Sequence, residues 1–369
     1  MLRGMIESLR NRGLRPVACL PLYPPLELVE SFGLTPVVLW NLAGEFPATP
    51  AADQHIQNYA CSVARHLSEF LISGGGAIFD AVVFYNACDT LRNLPEILQG
   101  GMAEQGASGV PFLRLHVPAN WSDEIAARSY LSREIRGLME QLVRLSGKPF
   151  SPEAFRDSIE KHFRARGLAR RAADLVREGL LSCRDFSAAM ARTGFMTVDD
   201  RIHSLEALCA VDPPRGNGTA TASIPVALSG ILPPPAEVAG FIEDAGLRVA
   251  LNDIACEERS IGPLPAPVDD PAVYYCEYYR GHAPCTTLLH TAEKRIAHLL
   301  EGAAASGARG FIFIGEKFCE YEYFEIVHLE KLLKERGIAT LRLEFSRIQG
   351  GEYHDMKTRI EAFAEMLRG

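Results

Sequence analysis

Apolar residues in this chain gather into short unbroken runs separated by stretches of helical period, and the order of runs occurs twice. The first round starts with an apolar run over Val17–Leu22. A double-proline turn, a helical stretch over Leu26–Phe32 and a Gly-Leu stop then lead to a second run at Pro36–Trp40. Runs at Asp80–Tyr85 and Val110–His116 follow, with helical periods at Tyr59–Ile72 and Leu91–Glu104. The second round has runs at Ile224–Ser229, Arg248–Asn252, Gly310–Ile314 and Thr340–Phe345. Its helical periods fall at Pro235–Ala245, Thr287–Ser306, Glu325–Arg336 and Asp355–Leu367. Short apolar runs bounded by Gly or Pro suit strands buried on both faces of a parallel sheet. Their alternation with helices predicts open α/β layers.

Between the two rounds the pattern changes. Ser122–Gly147 and Ser151–Gly179 are long, charged and amphipathic, and Ser151 followed by Pro152 makes a good helix start. Arg184–Arg192 and Asp199–Ala210 continue the helical period, and Asp212–Thr219, rich in Pro and Gly, reads as a linker. The expectation is α/β: two repeated Rossmann- or flavodoxin-like parallel-sheet domains, residues 1–120 and 223–369, facing one cleft. A helical connector and linker over residues 121–222 join them. A length of 369 residues is ample for two such cores.

Composition narrows the function. A net charge of −8 argues against binding nucleic acid through a broad basic surface. The longest apolar runs, roughly seven residues, are far short of the roughly 20 that span a bilayer. The segment MLRGMIESLRNRGLRP holds no apolar core of secretory type, so a cytoplasmic protein is expected. Nine cysteines in that setting read as thiols or metal ligands rather than a disulfide framework.

Two of those cysteines occupy matching places. Cys88 follows the run ending at Tyr85 and precedes Asp89; Cys319 follows the run over Gly310–Ile314 and precedes Glu320. Ligands of open α/β sheets sit beyond the carboxyl ends of the strands, so both thiols fall at the functional edge. Cys61 opens a helical stretch, where free N–H groups and the helix dipole favour a thiolate. Cys285 precedes a helix in the second round and reads as its repeat partner. Cys256 also lies past a strand end and is placed between the cleft and the core. Cys276 sits in an aromatic run and reads as core. Cys19, Cys183 and Cys209 read as structural.

No Cys-x-x-Cys pair occurs, which argues against zinc ribbons, ferredoxin-type motifs and thioredoxin-type sites. Thiolates without a nearby paired His favour an iron–sulfur cluster over catalytic zinc. Walker, dinucleotide-binding, Gly-x-Ser-x-Gly and His-Glu-x-x-His patterns are likewise missing from the sequence. The basic stretch Arg164–Glu178 reads most simply as the solvated face of a helix. Glu27 and Glu237 sit near helix starts, where negative charge is favourable, and Glu27 could instead face the cleft.

Several segments, in order, resemble the benzoyl-CoA reductase and 2-hydroxyacyl-CoA dehydratase family, specifically a 2-hydroxyglutaryl-CoA dehydratase D-component-like subunit. They are PLELVESFGLTPVVLW, the Cys61 region, FYNACDTLRNL, GLRVALNDIACEERSIG, the stretch from Phe318 to Phe345, and KTRIEAFAEML. The resemblance implies paired α/β domains holding a [4Fe–4S] cluster on three cysteines, here Cys61, Cys88 and Cys319. It further implies a heterodimer with a related subunit and an ATP-hydrolysing iron–sulfur activator. One-electron ketyl radical chemistry on an acyl-CoA would make the enzyme a lyase. A benzoyl-CoA reductase subunit is an alternative. A homodimeric double-cubane reductase with an [8Fe–9S] cluster is another, with Cys256, Cys276 and Cys285 as possible extra ligands. A third is a non-catalytic electron-relay or scaffold subunit. The chain departs from the family at Asn252-Asp253, where Asp-Asp is usual, and at Glu258-Arg259, in place of Gly-x-Arg.

Overall fold

The computed structural model describes residues 2–20, 22–40, 42, 45–106, 109–210, 223–348 and 353–369. The expected linker over Asp212–Thr219 lies outside them. Helix α1 (Leu2–Asn11) leads into β1 (Pro16–Leu20), α2 (Leu26–Ser31), β2 (Thr35–Val38), α3 (Ser62–Ile72), β3 (Ala81–Tyr85), α4 (Asp89–Glu104) and β4 (Phe112–Leu115). Four helices follow: α5 (Glu124–Ser146), α6 (Pro152–Arg177), α7 (Cys183–Thr193) and α8 (Val198–Cys209). The second unit runs β5 (Ile224–Gly230), α9 (Ala236–Asp244), β6 (Leu247–Ile254), α10 (Pro271–Arg280), α11 (Ala292–Ala305), β7 (Gly310–Glu316), α12 (Glu320–Glu335), β8 (Ala339–Phe345) and α13 (His354–Arg368).

The repeated pattern is a repeated topology. One sheet has the order β2-β1-β3-β4 and the other β6-β5-β7-β8, and every pairing in both is parallel. Strands β1, β3 and β7 are buried along their whole length, which explains runs with no polar alternation. In each sheet the strand order reverses beside the first strand. The crevice of an open α/β sheet therefore lies past β1 and β3 in one unit and past β5 and β7 in the other.

A single apolar cluster runs through both units, from Ile6 to Leu367. The link is α10, a helix that the sequence pattern does not predict. Its Tyr274, Tyr275, Tyr278 and Tyr279 are all buried, and its outer edge is narrow, Val273 and Arg280 with half-buried Glu277, so the polar period that marks it is weak. Tyr275 donates to Glu27 Oε2 at 2.9 Å and accepts from Leu28 N at 3.1 Å, while Tyr279 donates to Tyr23 O at 2.9 Å. Phe155 of α6 packs edge-on against Tyr274, with ring centres 5.5 Å apart.

Tyr275→Phe deletes the hydroxyl that joins the two units and leaves the Leu28 N–H without its partner. We expect a loss of about 1–3 kcal/mol, the usual cost of stranding a buried polar group. Urea unfolding measures it. An unmoved midpoint would mean that Glu27 and Leu28 find other partners.

Candidate functional site

Cys61, Cys88 and Cys319 each stand at the N-cap of a helix, α3, α4 and α12 respectively. The free N–H groups of a first turn point toward each sulfur, and the Cys88 sulfur accepts from Leu91 N at 3.5 Å. Burial pushes Cys61 up to about 12 and raises Cys88 and Cys319 as well. Beyond burial, the thiols feel one another. A charge on Cys88 opposes ionisation of Cys61, and charges on both oppose Cys319. Three thiols that repel one another when ionised are a site that a cation would stabilise. Among the described residues no three His, Cys, Asp or Glu side chains are placed to hold a metal ion.

The surroundings fix these positions in ways the sequence reading missed. Glu316, at the end of β7, accepts from Ser62 N at 3.1 Å and so ties the start of α3 to the second unit, one residue past Cys61. Arg347 Nε lies 3.7 Å from the other oxygen of Glu316, and burial raises the Glu316 pKa. Glu322 in the first turn of α12 accepts from Glu316 N at 2.9 Å and from Ile231 N, and burial pushes it up to about 7. Phe318 has φ +68°, an uncommon value for a side chain of that size, and it aims the next residue, Cys319. The acids around Cys319 in the sequence were a visible signal, but their contact with α3 was not.

The other candidate cysteines lie elsewhere. Cys285 does not cap a helix as Cys61 does, because α11 begins only at Ala292 after a 3-10 turn at Leu289–Thr291. Its backbone N–H donates to Thr291 Oγ1 at 2.9 Å, which holds the intervening residues in a turn. The Cys285 sulfur is fully buried and accepts from Tyr23 OH and Arg259 Nη1, both at 3.1 Å. Cys256 is buried beside Glu257, Arg347 and Arg259. Cys276 packs against α5, its sulfur 3.8 Å from Ser132 Oγ, in keeping with a core role. Glu27 is buried and bonded by Tyr275 and Arg166. The stretch read as a solvated helix face is correct for Arg164 and Arg171, but Arg166 turns inward to Ser260 O at 3.0 Å. Asp253 and Arg259, in the segment where the chain departs from the family pattern, are both buried and lie 3.7 Å apart.

The fold and these placements define a class: a protein of two parallel α/β units whose candidate chemistry rests on thiols beyond corresponding strand ends. The family model described as "2-hydroxyglutaryl-CoA dehydratase, D-component" matches residues 21–367, and the chain belongs to that family. Relatives cover nearly the full length. The (R)-phenyllactyl-CoA dehydratase beta subunit of Clostridium sporogenes is 24% identical, over 98% of this chain and 94% of that protein. The (R)-2-hydroxyglutaryl-CoA dehydratase beta subunit of Acidaminococcus fermentans is 24% identical, over 99% and 96%. A benzoyl-CoA reductase subunit of Thauera aromatica is 22% identical, over 95% and 90%. Among the described residues no helix is long and apolar enough to cross a membrane.

Proposed function

We propose that this chain is the iron–sulfur subunit of a 2-hydroxyacyl-CoA dehydratase-type enzyme, with a [4Fe–4S] cluster held by Cys61, Cys88 and Cys319. The observation that carries the reading is the set of three thiols at three helix N-termini, with Cys61 and Cys88 both near enough to oppose ionisation of Cys319. The donor set suits iron, since soft thiolates select such clusters. No three donors among the described residues are placed for a single ion, whereas a cluster is a wider body with separate corners. When bound, the cluster supplies one low-potential electron to a thioester carbonyl. The chain's own part is structural and electrostatic. Helix N-termini favour the ionised sulfurs, and Glu316 holds Cys61's helix in place.

The chain works, in this reading, with a related partner, as the relatives' names as subunits suggest. Because its sequence carries no phosphate-binding loop, a separate ATP-hydrolysing activator must provide the electron's energy. The Thauera aromatica relative favours a second reading, a subunit reducing an aromatic acyl-CoA. The test is reconstitution under anaerobic conditions. The chain alone should turn over no acyl-CoA. With a related subunit, an activator and ATP it should dehydrate an (R)-2-hydroxyacyl-CoA, and reduction of benzoyl-CoA instead would select the second reading. Iron-free protein with full activity would reject both.

A further inference from the structure

Away from the three cysteines, a cavity opens where the loop after β1 and the end of β2 meet α6, α7 and α8. None of Cys61, Cys88 or Cys319 lines it. It offers about 80 Å³ to the centres of water molecules. Its walls are chiefly apolar, with Val38, Trp40, Met190 and Leu205 among them, and two guanidinium groups reach it, those of Arg166 and Arg201.

The two arginines differ in their partners. Arg166 is satisfied by Ser260 O at 3.0 Å, Tyr278 OH at 3.4 Å and Glu27 at 3.5 Å. Arg201 spends only its Nε, on Thr193 O at 3.0 Å. Among the described residues no carboxylate stands within ion-pair distance of it. Glu27 is held by Arg166 and Tyr275, and Glu30 lies 2.7 Å from His162 Nε2. Burial pushes Arg201 down to about 10, against the opposing charge of Glu30 and with a further push from Arg166. Arg201 is half-buried, with Glu30 and Glu27 near enough to be felt but neither paired with it, and its Nη groups are left open to a ligand anion.

We propose that this cavity binds a small organic carboxylate, its oxygens on the open edge of Arg201 and its apolar body against Trp40, Met190 and Leu205. The planar fork of arginine matches a carboxylate in two parallel hydrogen bonds, and the apolar walls select an acid with a hydrocarbon body over an inorganic anion. The volume suits a short-chain or single-ring acid. The proposal goes beyond the cluster reading and does not rest on it, so its test uses neither iron nor turnover.

The probes are butyrate and phenylacetate, each against its neutral amide. Binding to the full-length chain is followed by calorimetry and by Trp40 fluorescence in a Trp121→Phe background. The acids should bind about ten- to a hundredfold more tightly than the amides, the span a charge-assisted hydrogen bond provides. Arg201→Met should abolish that preference while folding normally, since it removes an unpaired cation. Met190→Trp, which fills the cavity and leaves Arg201 in place, should abolish binding of acid and amide alike. Equal affinity for acid and amide, no measurable acid binding, or acid binding untouched by both substitutions would each overturn the proposal.

Discussion

Cys319→Ser is expected to strip most of the iron from this protein. Cys319 caps α12 and faces the fields of Cys61 and Cys88, so it completes the three-thiol group. A serine hydroxyl fits the same space but is a hard, poorly ionised donor, and a soft iron–sulfur site loses a corner with it. Cys88→Ser should act the same way. Cys276→Ser is the control, because that thiol is buried against α5. Iron per folded chain, measured after anaerobic purification together with electron paramagnetic resonance, decides the matter. Full iron in the Cys319 variant would discard the ligand set. The same measurement separates the cluster types. About four irons, unaffected by Cys256→Ser or Cys285→Ser, is the outcome for one cubane. About eight, reduced by either substitution, would move the protein to the double-cubane reading. We expect the former, because the Cys285 sulfur already accepts from Tyr23 and Arg259.

The parts of this molecule that could be read from sequence were those whose physics is local. Parallel strands covered on both faces must be apolar throughout, so β1, β3, β5 and β7 announced themselves, and so did the double-proline entries to α2 and α9. The places of Cys88 and Cys319 were legible because each follows a matching apolar run of the repeat, and in the fold both stand past a strand at the reversal point. What stayed hidden depends on contacts between distant segments. Helix α10 buries its four tyrosines between the two units, and a polar edge of only Glu277 and Arg280 leaves a weak period to detect. Glu316 matters because its carboxylate reaches Ser62, 254 positions away in sequence. Arg166 looked like one more surface charge in a basic helix, and only the tertiary fold turns it toward Glu27 and Ser260. The start of α11 was misplaced because Thr291 holds the Cys285 turn through its hydroxyl.

Arg295→Met is expected to cost about 3–5 kcal/mol at neutral pH, the usual result of removing one member of a buried ion pair. Arg295 and Asp253 are each 3% exposed at the side chain. Arg295 Nη1 donates to Asp253 Oδ1 at 2.7 Å, Nη2 meets the other oxygen, and Nε donates to Glu325 at 3.0 Å. Ser229 Oγ donates to Asp253 at 2.6 Å, so the network binds the ends of β5 and β6 to α11 and α12. Burial opposes ionisation of Asp253, yet Arg259 and Arg295 outweigh it and hold the carboxyl below its ordinary range. In the wild type this contribution is therefore present above the unfolded value, about 3.9, and is lost as pH falls through the lower folded value. The substitution reverses the sign. Burial remains, Arg259 at 3.7 Å is the one cation left beside the carboxylate among the described residues, and the folded pKa of Asp253 is expected to rise above the unfolded one. The variant's deficit should then be largest at pH 7 and shrink as the solution is acidified toward pH 4.5. Adding Asp253→Asn should recover part of the loss and flatten the pH dependence. Urea midpoints of the three proteins at pH 7, 5.5 and 4.5 measure this. A deficit under about 1 kcal/mol that does not vary with pH is what an exposed, solvent-screened pair would give, and would show that water replaces Arg295 at the end of β6.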